Sequence, residues 1–362
     1  MSKEPAVPHG VMEGKGSYNK NARLPGNAAT LAAPFLEKAV SRISIDADRP
    51  IVIADYGSSQ GKNSLAPMRL AIARLRLRLK HDHPIVVFHV DQPSNDFNSL
   101  FEVLSSDPDS YSLNDPAIFP CAVGRSFYES VIPGNSVHLA WSSYAVVWLS
   151  HLPSLASVHF MPLLGDPGVR AQFDNQAAED WKRFLSLRAS ELRPGGRLVV
   201  LLPAIADDGL TGFENLFNQA NAALAQMVDD GTITADERAR MVLGSHPRRT
   251  EALLAPFAPE GHFHGLTVED CNLLPLPDGA WVDYQDDGDR DALGTKQSAF
   301  FRSVFVPSLA TALDSVRNGE PEAVQRFGDG LCDRLKPRLA RDPKPIDSFV
   351  QVLVAAKEHS KA

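Results

Sequence analysis

The run Ile51-Val-Ile-Ala-Asp-Tyr-Gly-Ser-Ser-Gln-Gly-Lys-Asn-Ser64 carries an apolar stretch into an acid, a turn containing Gly57 and Gly61, and then a helical pattern. Glycines at such a turn admit a ligand close to the backbone, and the helix start offers free N–H groups. The spacing is not the three-glycine dinucleotide fingerprint, and Lys62-Asn63 lacks the glycine pattern of a phosphate-binding P-loop. Asp55 stands immediately before the turn. A pyrophosphate would be repelled by that acid, whereas a sulfonium such as S-adenosylmethionine tolerates it and can pair its ammonium with it. Asp91 closes the next apolar run, where an acid can accept from both ribose hydroxyls. Two strand-end acids and a glycine turn point to a nucleoside-bearing ligand, and leave a dehydrogenase and a methyltransferase both open.

The elements that position these residues follow from periodicity. A helix is expected from Ala28 to Arg42, a buried strand from Pro50 to Asp55, a helix from Asn63 to Lys80 and a second strand from Pro84 to Asp91. Cys121 to Tyr128 reads as a loop, Ser136 to Trp141 as a third strand and Ser142 to Ser150 as a short helix. A long amphipathic helix spans Phe173 to Leu192, with a strand at Arg197 to Leu202. This alternation predicts an α/β fold with a doubly wound sheet. Gly212 to Met241 is helical in pattern, Thr267-Val-Glu-Asp270 has the form of a helix start, Asp278 to Asp291 reads as an acidic turn-rich loop, Ser298 to Val316 as helix and Ser348 to Ala355 as a last strand. The expected organisation is an α/β domain from 1–205 and 291–362 with a helical cap inserted at 206–290.

Composition bounds the class. The 362 residues are 44% hydrophobic and 22% charged, which excludes a disordered or fibrous chain. No apolar run approaches a bilayer span. The first ten residues have no signal-peptide core, and three scattered cysteines make neither a disulfide framework nor a zinc site, so a cytoplasmic protein is expected. A net charge of −8 argues against nucleic acid as partner.

Six stretches then resemble one family in order: Met12-Glu-Gly-Lys-Gly-Ser-Tyr-Asn-Lys-Asn21, Ile53 to Ser64, Asp91-Gln-Pro-Ser-Asn-Asp-Phe-Asn-Ser-Leu-Phe101, Gly124-Arg-Ser-Phe-Tyr128, Ser142-Ser-Tyr-Ala-Val-Val-Trp-Leu-Ser150 and Leu192-Arg-Pro-Gly-Gly-Arg-Leu198. They are similar to the SABATH carboxyl methyltransferases, which methylate salicylate, benzoate and jasmonate, and to their N-methylating caffeine-pathway relatives. This chain resembles a diverged, bacterial member. The resemblance implies the class I methyltransferase sheet, Rossmann-like, with a helical cap. It also implies S-adenosylmethionine as donor, S-adenosylhomocysteine as product and a homodimer. Carried over to this chain, it places Tyr18, Ser58 and Asn63 around the donor's methionine portion, with Asp55 and Gly57 beside it. Asp91 would hold the ribose, with Gln92 beside the adenine and Ser126 and Phe127 flanking it. Ser143 would lie between the two ligands, and Tyr144, Val147 and Trp148 would line the acceptor pocket, Trp148 donating its N–H to the acceptor carboxylate.

Two departures concern the acceptor. Pro25 stands where the family's carboxyl methyltransferases carry a glutamine that also binds the carboxylate, and Ala22 replaces the expected serine. The motif that some members use for Mg²⁺ is not evident, Gly261-His-Phe-His264 being the nearest candidate, so no metal is expected. The expected chemistry is in-line methylation of the carboxylate of a small, largely apolar acid. The alternatives are a neutral heterocycle or phenol as acceptor, an oxidoreductase, or a binding protein without turnover. A carboxylate with a pKa near ~4 is already ionised at neutral pH, so no general base is required. His138, His151 and His159 read as structural.

Overall fold

The computed structural model describes residues 23–46, 48–154, 156–320 and 322–359, with side chains from residue 26. Tyr18 and Ala22 lie outside the described residues. Helix α1 (Arg23–Ser41) leads into β1 (Ile51–Tyr56), α2 (Lys62–Arg76), β2 (Ile85–Asp91), α3 (Phe97–Ser106), β3 (Ile118–Gly124) and β4 (Val137–Ser143). There follow α4 (Pro167–Glu191), β5 (Leu192–Pro203), α5 (Glu214–Asp229), α6 (Ala235–Ala239), α7 (Thr250–Leu254) and β6 (Leu266–Pro275). The chain ends with α8 (Gly279–Asp287), α9 (Arg290–Ala310), α10 (Asp314–Arg317), α11 (Ala323–Arg341) and β7 (Phe349–Lys357).

The strands form one seven-stranded sheet in the order β3-β2-β1-β4-β5-β7-β6. β1 to β5 are parallel, and β7 enters antiparallel between β5 and β6. This is the class I methyltransferase, Rossmann-like architecture. The central strands are buried on both faces, which is why Ile51-Val-Ile-Ala and Arg197-Leu-Val-Val-Leu-Leu read as continuous apolar runs. The order reverses between β1 and β4, and open α/β sheets bind ligands at the carboxyl ends of strands at such a point.

Four local expectations are corrected. Cys121 to Gly124 belongs to an edge strand, not a loop. β3 is half-exposed and carries Pro120, so it lacks the apolar run that marks a central strand. Residues 144–150 form a turn, not a helix, because their N–H groups bond elsewhere: Tyr144 N to Leu201 O (2.7 Å) and Leu149 N to Gly244 O (2.7 Å). Thr267-Val-Glu-Asp270 lies in β6. Its acids do not cap a helix: Glu269 pairs with Arg197 and Arg42, and Asp270 with Lys38, around a bulge in the ladder to β7. Asp278 to Asp291 contains helix α8, capped by Asp278 and stopped at Gly288 (φ +68°).

The boundaries of the insert change accordingly. Residues 266–275, assigned by sequence to a helical cap, pair into the sheet. The helical layer packs α11 against both α5 and α9, so it draws on residues beyond 290. One hydrophobic core joins Phe213, Phe217, Phe300 and Phe305 of this layer to Trp148 and Leu201 at the sheet.

Candidate active site

β1 delivers Asp55 at its end, and the turn behind it reverses sharply. Gly57 and Gly61 adopt φ of +90° and +87°, and Ser59 +47°. Gly57 is required twice, for its left-handed backbone and for space: a Cβ there would sit 2.0 Å from the Cβ of Ala145. The turn is tied to β2 by Gly57 N and Ser58 N, which donate to Val90 O at 2.8 and 3.3 Å. Helix α2 then starts at Lys62 with no side-chain cap among the described residues, so the N–H groups at its start can serve a ligand. Within this short turn Ser58 Oγ, Ser59 Oγ and Asn63 Nδ2 are buried with no hydrogen-bond partner among the described residues. Buried polar atoms without partners are rare, and a cluster of three is a candidate place for a polar ligand.

Asp91 closes β2 beside that turn. Its Oδ2 accepts from Ser59 N (2.7 Å) and its Oδ1 from Gln92 N (2.8 Å). Each oxygen keeps a second lone pair for the two hydroxyls of a ribose. Burial pushes its carboxyl up to about 6, the two backbone donors oppose that rise, and Asp55 adds to it. Asp55 itself is buried and accepts from Ser64 Oγ and from His89 Nδ1 at 3.2 Å, both on Oδ2.

Ser126 and Phe127 lie on the loop after β3. Ser126 Oγ accepts from Tyr128 N at 3.2 Å. Phe127 is buried against Tyr128 and Phe184, within 3.9 Å of a Cβ built on Gly57. This loop is clamped from α4. Arg188, fully buried, donates to Phe127 O (2.7 Å) and Glu129 O (3.0 Å) and pairs with Glu191. Glu191 in turn accepts from Tyr56 Oη (2.6 Å) and Val131 N (2.8 Å). The sequence marks this stretch only as a long helix, and the structure adds the clamp.

The residues expected on the acceptor side lie at the turn after β4. Ser143 ends the strand, and Tyr144 takes φ of +58°, a strained value for a non-glycine residue. Surrounding groups hold the turn: Arg248 Nη1 donates to Val146 O (2.7 Å), His246 N to Val147 O (2.8 Å) and Tyr128 Oη to Trp148 O (2.7 Å). Trp148 also bridges to Ser245, so the contacts that fix it are made by its backbone. Tyr144, Val147 and Trp148 line one side of a cavity of about 580 Å³ of atom-free space, part of it open to solvent. Met161, Phe217, Phe300 and Phe305 form the opposite, apolar wall, and Ser245 adds a hydroxyl.

Asp55, Gly57, Ser58, Asn63, Asp91 and Gln92 thus gather at one turn, with Ser126 and Phe127 beside it. Ser143, Tyr144, Val147 and Trp148 stand on the adjoining turn. Pro25 falls in the first turn of α1. The sequence reading did not anticipate the apolar wall, the Ser245–Arg248 segment or the Arg188 clamp. Only the wall left a signal, a run of phenylalanines at helical spacing. His138 accepts from Val52 N (3.1 Å) and faces Arg193; burial, then that guanidinium, pulls it down to about 4. Among the described residues no three His, Cys, Asp or Glu side chains converge on one point.

A family model described as SAM dependent carboxyl methyltransferase matches residues 8–315. "Methyltransferase LUC1" of Fusarium sp is 29% identical, over 94% of this chain and 96% of that protein. "Salicylate carboxymethyltransferase" of Clarkia breweri is 27% identical, over 94% and 95%. "Probable 7-methylxanthine methyltransferase 2" of Theobroma cacao is 30% identical over 62% of this chain and 66% of that protein. The solved structure "Loganic acid methyltransferase with SAH" superposes with a TM-score of 0.76 at 22% identity, covering 96% of this chain and 99% of that one.

Proposed function

Because the chain belongs to the S-adenosylmethionine-dependent carboxyl methyltransferase family, we propose that it O-methylates the carboxylate of a small, largely apolar acid. The observation that carries this reading is the apolar cavity closed on one side by Trp148, a turn away from the Gly57 site. The name of the Clarkia relative supports a carboxylate, and that of the Theobroma relative a heterocycle. A cytoplasmic homodimer completes the reading.

The residues at the Gly57 turn fit S-adenosylmethionine, since the unpartnered Ser58, Ser59 and Asn63 atoms offer the polar contacts its methionine end needs. Bound there, it supplies a methyl group on a sulfonium and leaves as S-adenosylhomocysteine. Asp91 accepts from the ribose and Asp55 takes the ammonium, with Tyr18, Gln92, Ser126 and Phe127 completing the donor site. Ser143 lies between the ligands. Tyr144 and Val147 wall the acceptor, and Trp148 aims its Nε1–H at the carboxylate. The protein positions and excludes water; correct placement of two reactants accounts for ~7–11 kcal/mol of a barrier.

Three results are expected. Donor affinity should fall as the pH drops from 7 through about 6, because an Asp91 that holds a proton in the free protein must lose it to accept from both hydroxyls. Asp91→Ala should weaken the donor by about 1.5–3 kcal/mol at pH 8 and flatten that profile. Calorimetry from pH 5 to 9 checks both. Trp148→Phe keeps the aromatic wall and removes the donor. For an acid acceptor kcat/KM should drop about tenfold to a hundredfold, with donor affinity unmoved. A neutral acceptor should lose much less. Equal small losses for the best acid and the best neutral acceptor would transfer the function to a heterocycle or phenol.

A further inference from the structure

Beneath the donor turn runs a chain of buried polar groups that this mechanism leaves unused. β1 and β2 are parallel with Asp55 level with His89, so the two side chains are lateral neighbours on one face of the sheet. His89 is fully buried; its Nδ1 lies 3.2 Å from Asp55 Oδ2 and its Nε2 lies 2.7 Å from the Tyr111 hydroxyl. Ser64 Oγ donates to the same Oδ2.

Hydrogen-bond chemistry sets the direction of this chain. A carboxylate only accepts, so the hydrogen between it and the ring belongs to Nδ1. Burial pushes the Tyr111 hydroxyl far above its ordinary pKa, so it stays protonated and can donate. An N–H on Nε2 would force the Tyr111 hydrogen to turn into the apolar core that surrounds its ring, which leaves a buried donor unpaired. The order is therefore Tyr111 Oη–H to His89 Nε2, and His89 Nδ1–H to Asp55 Oδ2. Two donors on Oδ2 fix the carboxylate plane and leave Oδ1 available.

We propose that His89 is a positioning residue for the donor: Tyr111 holds it in the Nδ1–H tautomer, and it orients Asp55 so that Oδ1 meets the donor's ammonium. This inference rests on the placement of Asp55 at that ammonium given above, and the Asp55→Asn variant separates the two.

The test is calorimetry of the full chain with S-adenosylhomocysteine, which carries the same ammonium, alongside kcat at saturating donor. His89→Leu should weaken binding about tenfold to a hundredfold, the cost of one hydrogen bond to a charged group, while kcat holds within about threefold. His89→Asn, whose amide can donate from near the position of Nδ1, should restore binding to within about threefold. A role in packing alone would lower the melting temperature without that split and without that rescue. Nitrogen NMR of the wild-type imidazoles, assigned by the His89→Asn spectrum, should show the Nδ1–H tautomer. Tyr111→Phe should admit the other tautomer, and this pair of variants decides the matter if His89→Leu does not fold. An Nε2–H tautomer in the wild type, or unchanged affinity in a folded His89→Leu protein, overturns the proposal. If Asp55→Asn loses affinity and the His89 variants do not, the donor assignment of Asp55 stands and the role of His89 falls. If Asp55→Asn also binds normally, both fall.

Discussion

Gly57→Ala is expected to cut kcat/KM by at least about a hundredfold, because it strains the donor turn and the acceptor turn together. The residue sits at φ +90°, and the new Cβ would meet the Cβ of Ala145 at 2.0 Å. A left-handed conformation costs an L-residue about 1–2 kcal/mol, and forcing a methyl into a packed site about 1–3 kcal/mol more. The neighbour that must yield is the backbone segment carrying Tyr144, Val147 and Trp148, so the cost falls on the alignment of the two reactants. Ala145→Gly in the Gly57→Ala background removes the Cβ contact and leaves the backbone strain. The double variant should therefore recover about tenfold in kcat/KM, short of wild type. Steady-state kinetics with donor and acceptor varied separately reads both effects. A double variant no better than the single would show that the Ala145 contact is not what constrains the site.

Arg188→Met is expected to destabilise the protein by about 3–5 kcal/mol, since it leaves a buried Glu191 without its counter-charge. Arg188 and Glu191 are both fully buried, with the guanidinium also lying over the Tyr56 ring at 4.1 Å from its centroid. The carbonyls of Phe127 and Glu129 lose their donor at the same time, so donor affinity should fall with stability. Arg188→Lys keeps the charge but not the fork of donors and should lie between the two. Thermal unfolding with and without S-adenosylhomocysteine measures this. A Met variant that melts within a degree of wild type would reduce the clamp to ordinary packing.

The cavity lined by Trp148 joins segments spread between residues 144 and 305. Trp148 comes from the turn after β4, Ser245 from the segment before α7, and Phe300 and Phe305 from α9. Their union depends on a helical layer whose own faces are apolar toward the sheet. Widening that cavity by substitution at Phe300 or Phe305 is therefore a change of core packing as well as of acceptor size.

By itself the sequence determined four of the five parallel strands and the Gly57 turn between two strand-end acids. These are local: an apolar run, a glycine that must take positive φ and an acid at a strand end are each written within a few neighbours. Tertiary structure alone decided the rest. Whether 144–150 became helix or turn was settled by Leu201 and Gly244, remote carbonyls that captured its N–H groups. Thr267-Val-Glu-Asp270 carries a sound helix-start pattern, but pairing with β7 and the basic partners Arg197, Arg42 and Lys38 took its backbone and its acids. The Tyr111–His89–Asp55 chain and the Arg188 clamp were equally hidden. Each depends on a strand register or a helix docking that brings together groups 20 or more residues apart, and no periodicity encodes which partner a buried polar residue will meet.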